Sequence, residues 1–526
     1  MAATLCVVFA LLASLHTCDG KLRFASYYGD HMVLQKSPER AVLWGYGPEG
    51  AQVTVSLLGL FKRQASLVTV TNGIWQVTLD PVAAGGPYNV TAKVQNDSAT
   101  LTDVLFGDIW MCGGQSNMWF NMTQIFNATE ELSVVAKYPY VRPFMVALNT
   151  SGIELMDLIE VEIPWSVPTA SVVEEFSAVC WLFGRYMYET LKYPIGLVES
   201  CWGGTPVEVW SSSRALKRCQ EVPVVDGPKK NSILWNSMIH PLLNMTIKGA
   251  LWYQGKTPYI TGRFGVFSDS HKLLGFITFS GEANAEYNQD KYNCSFPAMI
   301  DDWRMAFHQG SGGQTAPDFP FGFVQLSTYI KTSKDDGFPN IRWHQTADFG
   351  FVPNLRMKKT FMAVALDLPD ATSPYGTIHP RDKQDVAYRL TLGARAVAYE
   401  EENVPFLGPF PKEIASTQMY VNITYDQAVS VTSSKDIFEV CCSDIWAPCG
   451  PKSLWLQTPI VGWDLTTIQV SAAVCQSSEV AAVRYAWRDW PCEFKACPVY
   501  SASWILPAPP FIINHSSWKG GIWKSY

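Results

Sequence analysis

A serine becomes an acyl-transfer nucleophile when the backbone lifts its hydroxyl into the open and a histidine stands ready to take its proton. In this 526-residue sequence the segment that meets the first condition is Val104-Leu-Phe-Gly-Asp-Ile-Trp-Met-Cys112, followed by Gly113-Gly-Gln-Ser-Asn-Met118. The apolar run predicts a buried strand. Two glycines permit a sharp turn, which would set Ser116 at the carboxyl edge of a sheet, where open α/β folds hold their ligands. Met118 stands where a G-x-S-x-G elbow has its second glycine. On local grounds the segment therefore reads equally as a nucleophile turn or a plain polar turn.

The base must come from eight histidines. His16 lies in an apolar leader, His31 in a β-rich first module, His515 in the tail and His271 in an anomalous segment treated below. Of His240, His308, His344 and His379, the last is best placed. Thr377-Ile-His-Pro-Arg-Asp382 follows a strand and loop and opens a helix, with Pro380 suited to the first helical position. Each of the four has a structural histidine as its alternative.

These residues need elements to position them. From Lys21 to about Asp103 the chain shows short alternating runs such as Ala51–Leu57 and Gly73–Leu79, punctuated by Gly, Pro and Asn, which predicts a β-sandwich. Gly45-Tyr-Gly-Pro-Glu-Gly50 matches a dinucleotide fingerprint, but a strand follows it where a helix is required, so it reads as a turn. From Val104 buried-strand runs alternate with helical patterns. Strands are expected at 104–112, 195–199, 249–253, 321–325 and 360–366, and helices at 176–191 and 380–401, which together predict a parallel sheet covered on both faces. From about Pro405 short β runs return. The expected domains are 1–20 leader, 21–103 N-terminal β-sandwich, 104–404 α/β catalytic domain and 405–526 C-terminal β-rich, cysteine-rich domain.

Composition narrows the function classes. With 48% apolar and 17% charged residues the chain is globular, and a net charge of −7 gives no footprint for a phosphate backbone, which disfavours nucleic-acid binding. Leu5–Leu15 suits a cleaved signal peptide, and no later apolar run is long enough to span a membrane. Sequons begin at Asn89, Asn96, Asn121, Asn127, Asn149, Asn244, Asn293, Asn422 and Asn514. Thirteen cysteines less Cys6 and Cys18 of the leader leave eleven, and Cys441, Cys442, Cys449, Cys475, Cys492 and Cys497 crowd the tail. No C-x-x-C pair or histidine accompanies them, so disulfides are expected rather than zinc, in a secreted or lysosomal glycoprotein. The odd total predicts at least one thiol unpaired or paired between chains.

Taken together, four ordered blocks resemble the sialate O-acetylesterases within the SGNH-type carbohydrate esterases. They are Gly-Gly-Gln-Ser-Asn-Met at 113–118, Cys-Trp-Gly-Gly-Thr-Pro at 201–206, Trp-Tyr-Gln-Gly at 252–255 and Ile-His-Pro-Arg-Asp-Lys-Gln at 378–384. Asp301–Arg304, Arg484–Trp487 and Leu506–Phe511 fit the same family. The resemblance implies an SGNH-hydrolase-like sheet flanked by β domains. It implies Ser116 as nucleophile and His379 as general base, and as oxyanion donors the Ser116 backbone N–H, a backbone N–H of Gly203 or Gly204, and Gln254. It also implies a reaction needing no metal or other cofactor, on O-acetyl esters of sialic acids, mainly at the 9-position. Because the substrate carries a carboxylate, Arg342 and Arg381 are candidates for binding it.

The chain departs from the family twice. SGNH enzymes place an Asp two or three residues before the histidine, where this sequence has Gly376 and Thr377. Asp367 and Asp370 are the nearest carboxylates able to orient His379, and a backbone carbonyl in a simple dyad is the alternative. The family's Trp-Tyr-Gln-Gly-Glu-x-Asn block is also split: Lys256 follows Gly255, and Glu282-Ala-Asn284 resumes after residues 256–281. Gly255-Lys256 is codable by GGTAAG, a splice donor, and Thr278–Gly281 by a pyrimidine-rich tract ending CAGG, an acceptor. The insertion is thus either a translated intron or a genuine loop. If Gln254 and Glu282 share one rigid turn, separating them removes an oxyanion donor and a supporting carboxylate, Glu282, together, so the full-length chain is expected to be weakly active or misfolded and the form lacking 256–281 active.

Two other functions fit the same residues. One is an acetylesterase for other acetylated glycans, which acetate release from acetylated xylan would reveal. The other is a carbohydrate-binding protein with a disabled centre, which would bind without covalent labelling of Ser116.

Overall fold

The computed structural model describes residues 20–59, 63–220, 230–254, 284, 288–443, 448–450, 453–516 and 522–525. Residues 1–19 of the expected leader, the insertion 256–281 and Glu282 lie outside the described residues.

Seven strands build the central sheet: β1 (Asp97–Gly114), β2 (Val141–Val146), β3 (Val161–Ile163), β4 (Ile195–Cys201), β5 (Gly249–Tyr253), β6 (Phe321–Gln325) and β7 (Thr360–Val364). Their spatial order is β3-β2-β4-β1-β5-β6-β7, parallel throughout except for the antiparallel edge strand β3. The chain builds one side of β1 first and then crosses to build the other. The crevice beyond the carboxyl end of β1 is therefore the topological switch point, where doubly wound sheets hold ligands.

Both faces of this sheet are buried, as the continuous apolar runs require. On one face Trp110, Cys112, Leu197 and Phe361 pack against helices α2 (Ala178–Leu191) and α4 (Lys383–Ala398), with which they share a core. On the other, Met111, Trp252, Phe321 and Phe323 pack against α3 (Tyr292–Gly310). Trp110 and Met111 fall in different cores because successive strand side chains alternate faces. The helix expected from residue 380 begins instead at Lys383, because the Asp382 side chain accepts the Asp385 N–H at 3.0 Å and so caps α4 there.

Strand β1 runs well N-terminal of the expected start at Val104. Its first half pairs antiparallel with Gly85–Val94 in a sheet that also holds Gln52–Leu58 and Arg63–Thr69, and a second sheet joins Arg23–Phe24, Val42–Tyr46 and Ile74–Thr78. Asp103 sits within β1 at φ +52°, where the strand passes from the N-terminal module into the central sheet, and its carboxylate accepts from Arg142 at 2.8 Å. Beyond residue 410 five strands form one sheet and four another around a separate core that includes Ile414, Val440, Val483 and Phe511.

All eleven cysteines after the leader are described. Disulfides join Cys112–Cys180, Cys219–Cys294, Cys441–Cys449, Cys442–Cys475 and Cys492–Cys497, and the buried Cys201 is the odd thiol. Five disulfides fit a chain folded in an oxidising, secretory-pathway environment. Among the described residues no helix is long and apolar enough to cross a membrane.

Candidate active site

Three adjacent strands, β4, β1 and β5, deliver their carboxyl ends to the same crevice. β1 ends in Gly114, whose φ is +137° and whose Cβ, if present, would stand 2.2 Å from the Tyr253 carbonyl oxygen, so only glycine fits. The next peptide is pinned when Gln115 N–H donates to that carbonyl at 3.0 Å. The chain then turns directly into the four-residue helix α1 (Ser116–Trp119), with Ser116 as its first residue. Gly203, leaving β4, passes so close that a Cβ on it would lie 3.5 Å from the Ser116 Cβ.

His379 arrives from the loop between β7 and α4. Its Nε2 lies 2.9 Å from the Ser116 Oγ, and its Nδ1 lies 2.9 Å from the Tyr375 carbonyl oxygen. A carbonyl can only accept, so Nδ1 carries the hydrogen and the Nε2 lone pair faces the serine hydroxyl, as a general base requires. The turn that aims the carbonyl is closed by His379 N–H donating to Gly376 O at 2.9 Å, with Gly376 at φ +87°. A glycine thus occupies the place where the SGNH resemblance implies an aspartate, and the backbone supplies the acceptor. Burial, reinforced by the positive charge of Lys383, pulls the His379 pKa down to about 4 against the Tyr375 hydrogen bond, which raises it. The imidazole is therefore neutral at neutral pH.

Neither carboxylate expected to orient His379 does so. Asp367 is buried and clamps Arg389 with contacts of 2.6 and 2.8 Å, while also accepting from Tyr500 at 3.0 Å. Asp370 holds Arg381 through contacts of 2.7 and 3.0 Å. It shapes the histidine loop without reaching the ring.

Gln254 also differs from expectation. Its amide hydrogens go to Thr205 O at 3.3 Å and Asn284 Oδ1 at 2.7 Å, and its Oε1 accepts from Trp252 at 3.2 Å and Tyr292 at 3.0 Å. With both amide hydrogens committed it braces the loop after β4 and has none left for an oxyanion. The same bond brings Gln254 and Asn284, the two halves of the split block, together.

Arg342 is corrected likewise. It is fully buried, and its guanidinium donates to the carbonyls of Leu326, Ser327, Arg488 and Asp489, stitching α/β and C-terminal segments together instead of facing a substrate. Arg381 is partly exposed beside His379, with its charge shared by Asp370 and its plane over Phe126 at 4.5 Å. Of the other histidines, His240 and His308 bond the Leu155 and Thr315 carbonyls, and His344 bonds Asp348.

Two exposed aromatic residues missed in the sequence lie near the pair. Trp119 is 41% exposed and lies against Gly203, and Tyr375 is 41% exposed beside His379. Their signal was proximity: one lies three residues after the serine, the other four before the histidine.

Fold and site define a class, the α/β proteins that carry a Ser–His pair at the switch point of a parallel sheet, the arrangement used by serine hydrolases. Residues 412–515 match the sialate O-acetylesterase C-terminal domain. The chain is 48% identical to the sialate O-acetylesterase of Mus musculus, over 97% of this chain and 98% of that one. It is 49% identical to that of Homo sapiens, over 93% and 92%. A crystal structure of a carbohydrate acetylesterase from Xanthomonas citri superposes with a TM-score of 0.74 at 25% identity, covering 94% of this chain and 99% of that one. The chain belongs to the sialate O-acetylesterase family.

Proposed function

We propose that this protein hydrolyses O-acetyl esters of sialic acids, chiefly the 9-O-acetyl group, through a serine acetyl-enzyme. The observation that carries the reading is the 2.9 Å contact between His379 Nε2 and Ser116 Oγ at the switch point. Ser116 Oγ attacks the acetyl carbonyl carbon as its proton passes to Nε2. The tetrahedral oxyanion is met by the backbone N–H groups of Ser116 and of Gly203 or Gly204, each such donor being worth about 10²–10³ in rate. Collapse breaks the ester bond, and the sugar oxygen leaves with the proton from Nε2. Water, deprotonated by the same nitrogen, then attacks the acetyl-enzyme and releases acetate.

A sugar substrate is supported by Trp119 and Tyr375, exposed aromatic side chains near the pair. Arg381, partly exposed two residues after His379, is the guanidinium proposed to meet a sialic acid carboxylate. The domain limits expected from the sequence are retained in this proposal, as is a secreted or lysosomal destination.

The test is acetate release from 9-O-acetylated sialic acid together with covalent labelling of Ser116 by a fluorophosphonate. Both should vanish in Ser116→Ala and in His379→Ala. Sugar binding without labelling would leave a lectin and overturn the assignment. Faster release from acetylated xylan than from the sialic acid ester would favour the second reading, a general glycan acetylesterase, which the likeness to a carbohydrate acetylesterase supports.

A further inference from the structure

His379 stands on a segment with no regular structure of its own: from Val364, where β7 ends, to Lys383, where α4 begins, the chain is turn and loop. A base carried on such a segment needs anchors outside it, because a misplacement of about 1 Å can cost about 10²-fold in rate.

The anchors come from the C-terminal module. Asp489 is buried there, and its carboxylate reaches the loop after β6, one oxygen accepting Tyr329 N–H at 2.7 Å and the other Ile330 N–H at 3.0 Å. A buried carboxylate requires such donors, and here they are backbone groups of the α/β domain. Tyr329 passes the restraint on, since its carbonyl oxygen accepts the Thr377 hydroxyl at 2.8 Å. Thr377 lies two residues before His379, in the region where the SGNH resemblance implies an aspartate. Where an aspartate would hold the ring, Thr377 holds the loop.

A second set of contacts acts beyond the histidine. Lys495 Nζ lies 3.0 Å from Asp382 Oδ2 and 2.9 Å from Asp385 Oδ2 at the start of α4, and its N–H donates to the Asp367 carbonyl oxygen at 2.7 Å, just past β7. A partly exposed ion pair of this kind adds little stability, so what it contributes is a fixed position. Asp489 and Lys495 stand on one stretch, 488–497, which contains the Cys492–Cys497 disulfide. Arg342 fastens that stretch to the loop after β6, donating to the carbonyls of Arg488 and Asp489 on one side and of Leu326 and Ser327 on the other.

We propose that residues 488–497 of the C-terminal module are the positioning element of the general base: Asp489 holds the histidine loop ahead of His379 through Tyr329 and Thr377, and Lys495 holds it behind through Asp382. The proposal rests on the reading of His379 as base. It gives the C-terminal module a part in the reaction, because Ser116 is set by the central sheet itself, whereas the imidazole depends on contacts from another module.

The test uses the full chain and 9-O-acetylated sialic acid. Thr377→Val keeps the shape of the side chain and removes its hydroxyl; it should lower kcat about tenfold or more and leave KM within about twofold of wild type. Thr377→Ser, which restores the hydroxyl, should recover kcat. Asp489→Asn, which leaves one of the two N–H groups without its acceptor, and Lys495→Met should lower kcat in the same manner from the other module, and Thr377→Val decides the matter if Asp489→Asn does not fold. A readout independent of turnover is the proton resonance of the His379 Nδ1–H, which the Tyr375 carbonyl holds in wild type. It should be lost to exchange with water in Thr377→Val and in Lys495→Met. Folded variants with the kcat and the resonance of wild type would overturn the proposal, as would equal losses in Thr377→Val and Thr377→Ser. A resonance that responds as expected in a protein that releases no acetate would instead sink the catalytic reading and uphold the positioning one.

Discussion

The Nδ1 of His379 is held at 2.9 Å by the carbonyl oxygen of Tyr375, four residues earlier on the same loop. The group that fixes the tautomer is thus backbone, and no side-chain substitution removes it. In a Ser-His-Asp triad, replacing the aspartate costs about 10⁴ in kcat because the wrong tautomer is then favoured. Asp370→Asn should cost far less here, about tenfold or under in kcat/KM, through the loosened Arg381 and with no change of tautomer. A loss of the triad size, measured on 9-O-acetylated sialic acid, would show that a carboxylate orients the ring after all.

Glu199 couples the site's framework to pH. It is buried on β4, accepts from Ser177 N–H at 2.8 Å and from Cys201 Sγ at 3.1 Å, and burial pushes its pKa up to about 7. Between about 4.5 and 7 the folded protein therefore holds a proton that the unfolded chain has released, so this group's contribution to stability falls as pH rises through that window. Glu199→Gln keeps an acceptor and removes the titration. Thermal melts should show the variant gaining on wild type from pH 4.5 to 7 and by a constant amount above it. A pH-independent difference would mean that Glu199 titrates normally.

What was legible in the sequence follows from physics that acts locally. The strands on either side of the crevice are mostly apolar runs, the serine stands at a glycine break just past a strand end, and the histidine stands directly before a proline that precedes a helix. Val141–Val146 was missed because Arg142 and Pro143 interrupt its apolar pattern, yet Arg142 is buried against the distant Asp103. Helix α3 was missed because Pro297 sits inside it. The roles of Asp367, Gln254 and Arg342 were illegible for a related reason. A buried charged or amide side chain is assigned by its partners, and Arg389, Asn284 and the Arg488 and Asp489 carbonyls all lie far along the chain or in another module.

Trp119 offers an indole face beside the nucleophile, and stacking on a pyranose contributes to binding without touching the acetyl group. Trp119→Ala should therefore act mainly on KM, raising it about tenfold for the glycan ester, the scale of one lost apolar contact of about 1–2 kcal/mol. A small aryl acetate, which has no sugar ring to place, should lose less. Equal losses on the two substrates would show that Trp119 supports the Ser116 turn and not the sugar.

Gln254 and Asn284 meet at 2.7 Å, although 30 residues separate them. Asn284 also accepts the Val207 N–H at 2.8 Å and donates to Glu208, so this single contact ties the carboxyl end of β5 to the loop that carries Gly203 and Gly204. In the form lacking residues 256–281 the same two side chains would be four residues apart, on one tight turn. The entropy of closing the longer loop exceeds that of the shorter by about 2 kcal/mol, from the logarithmic dependence on length. The full-length chain should hold the brace less firmly, and with it the backbone donors for the oxyanion. Its specific activity is expected to be several-fold or more below that of the deletion form, with a lower Tm. Equal activity and equal melting of the two purified forms would show that the insertion is a loop the site tolerates, and abundant peptides from 257–274 in native protein would show that it is not a translated intron.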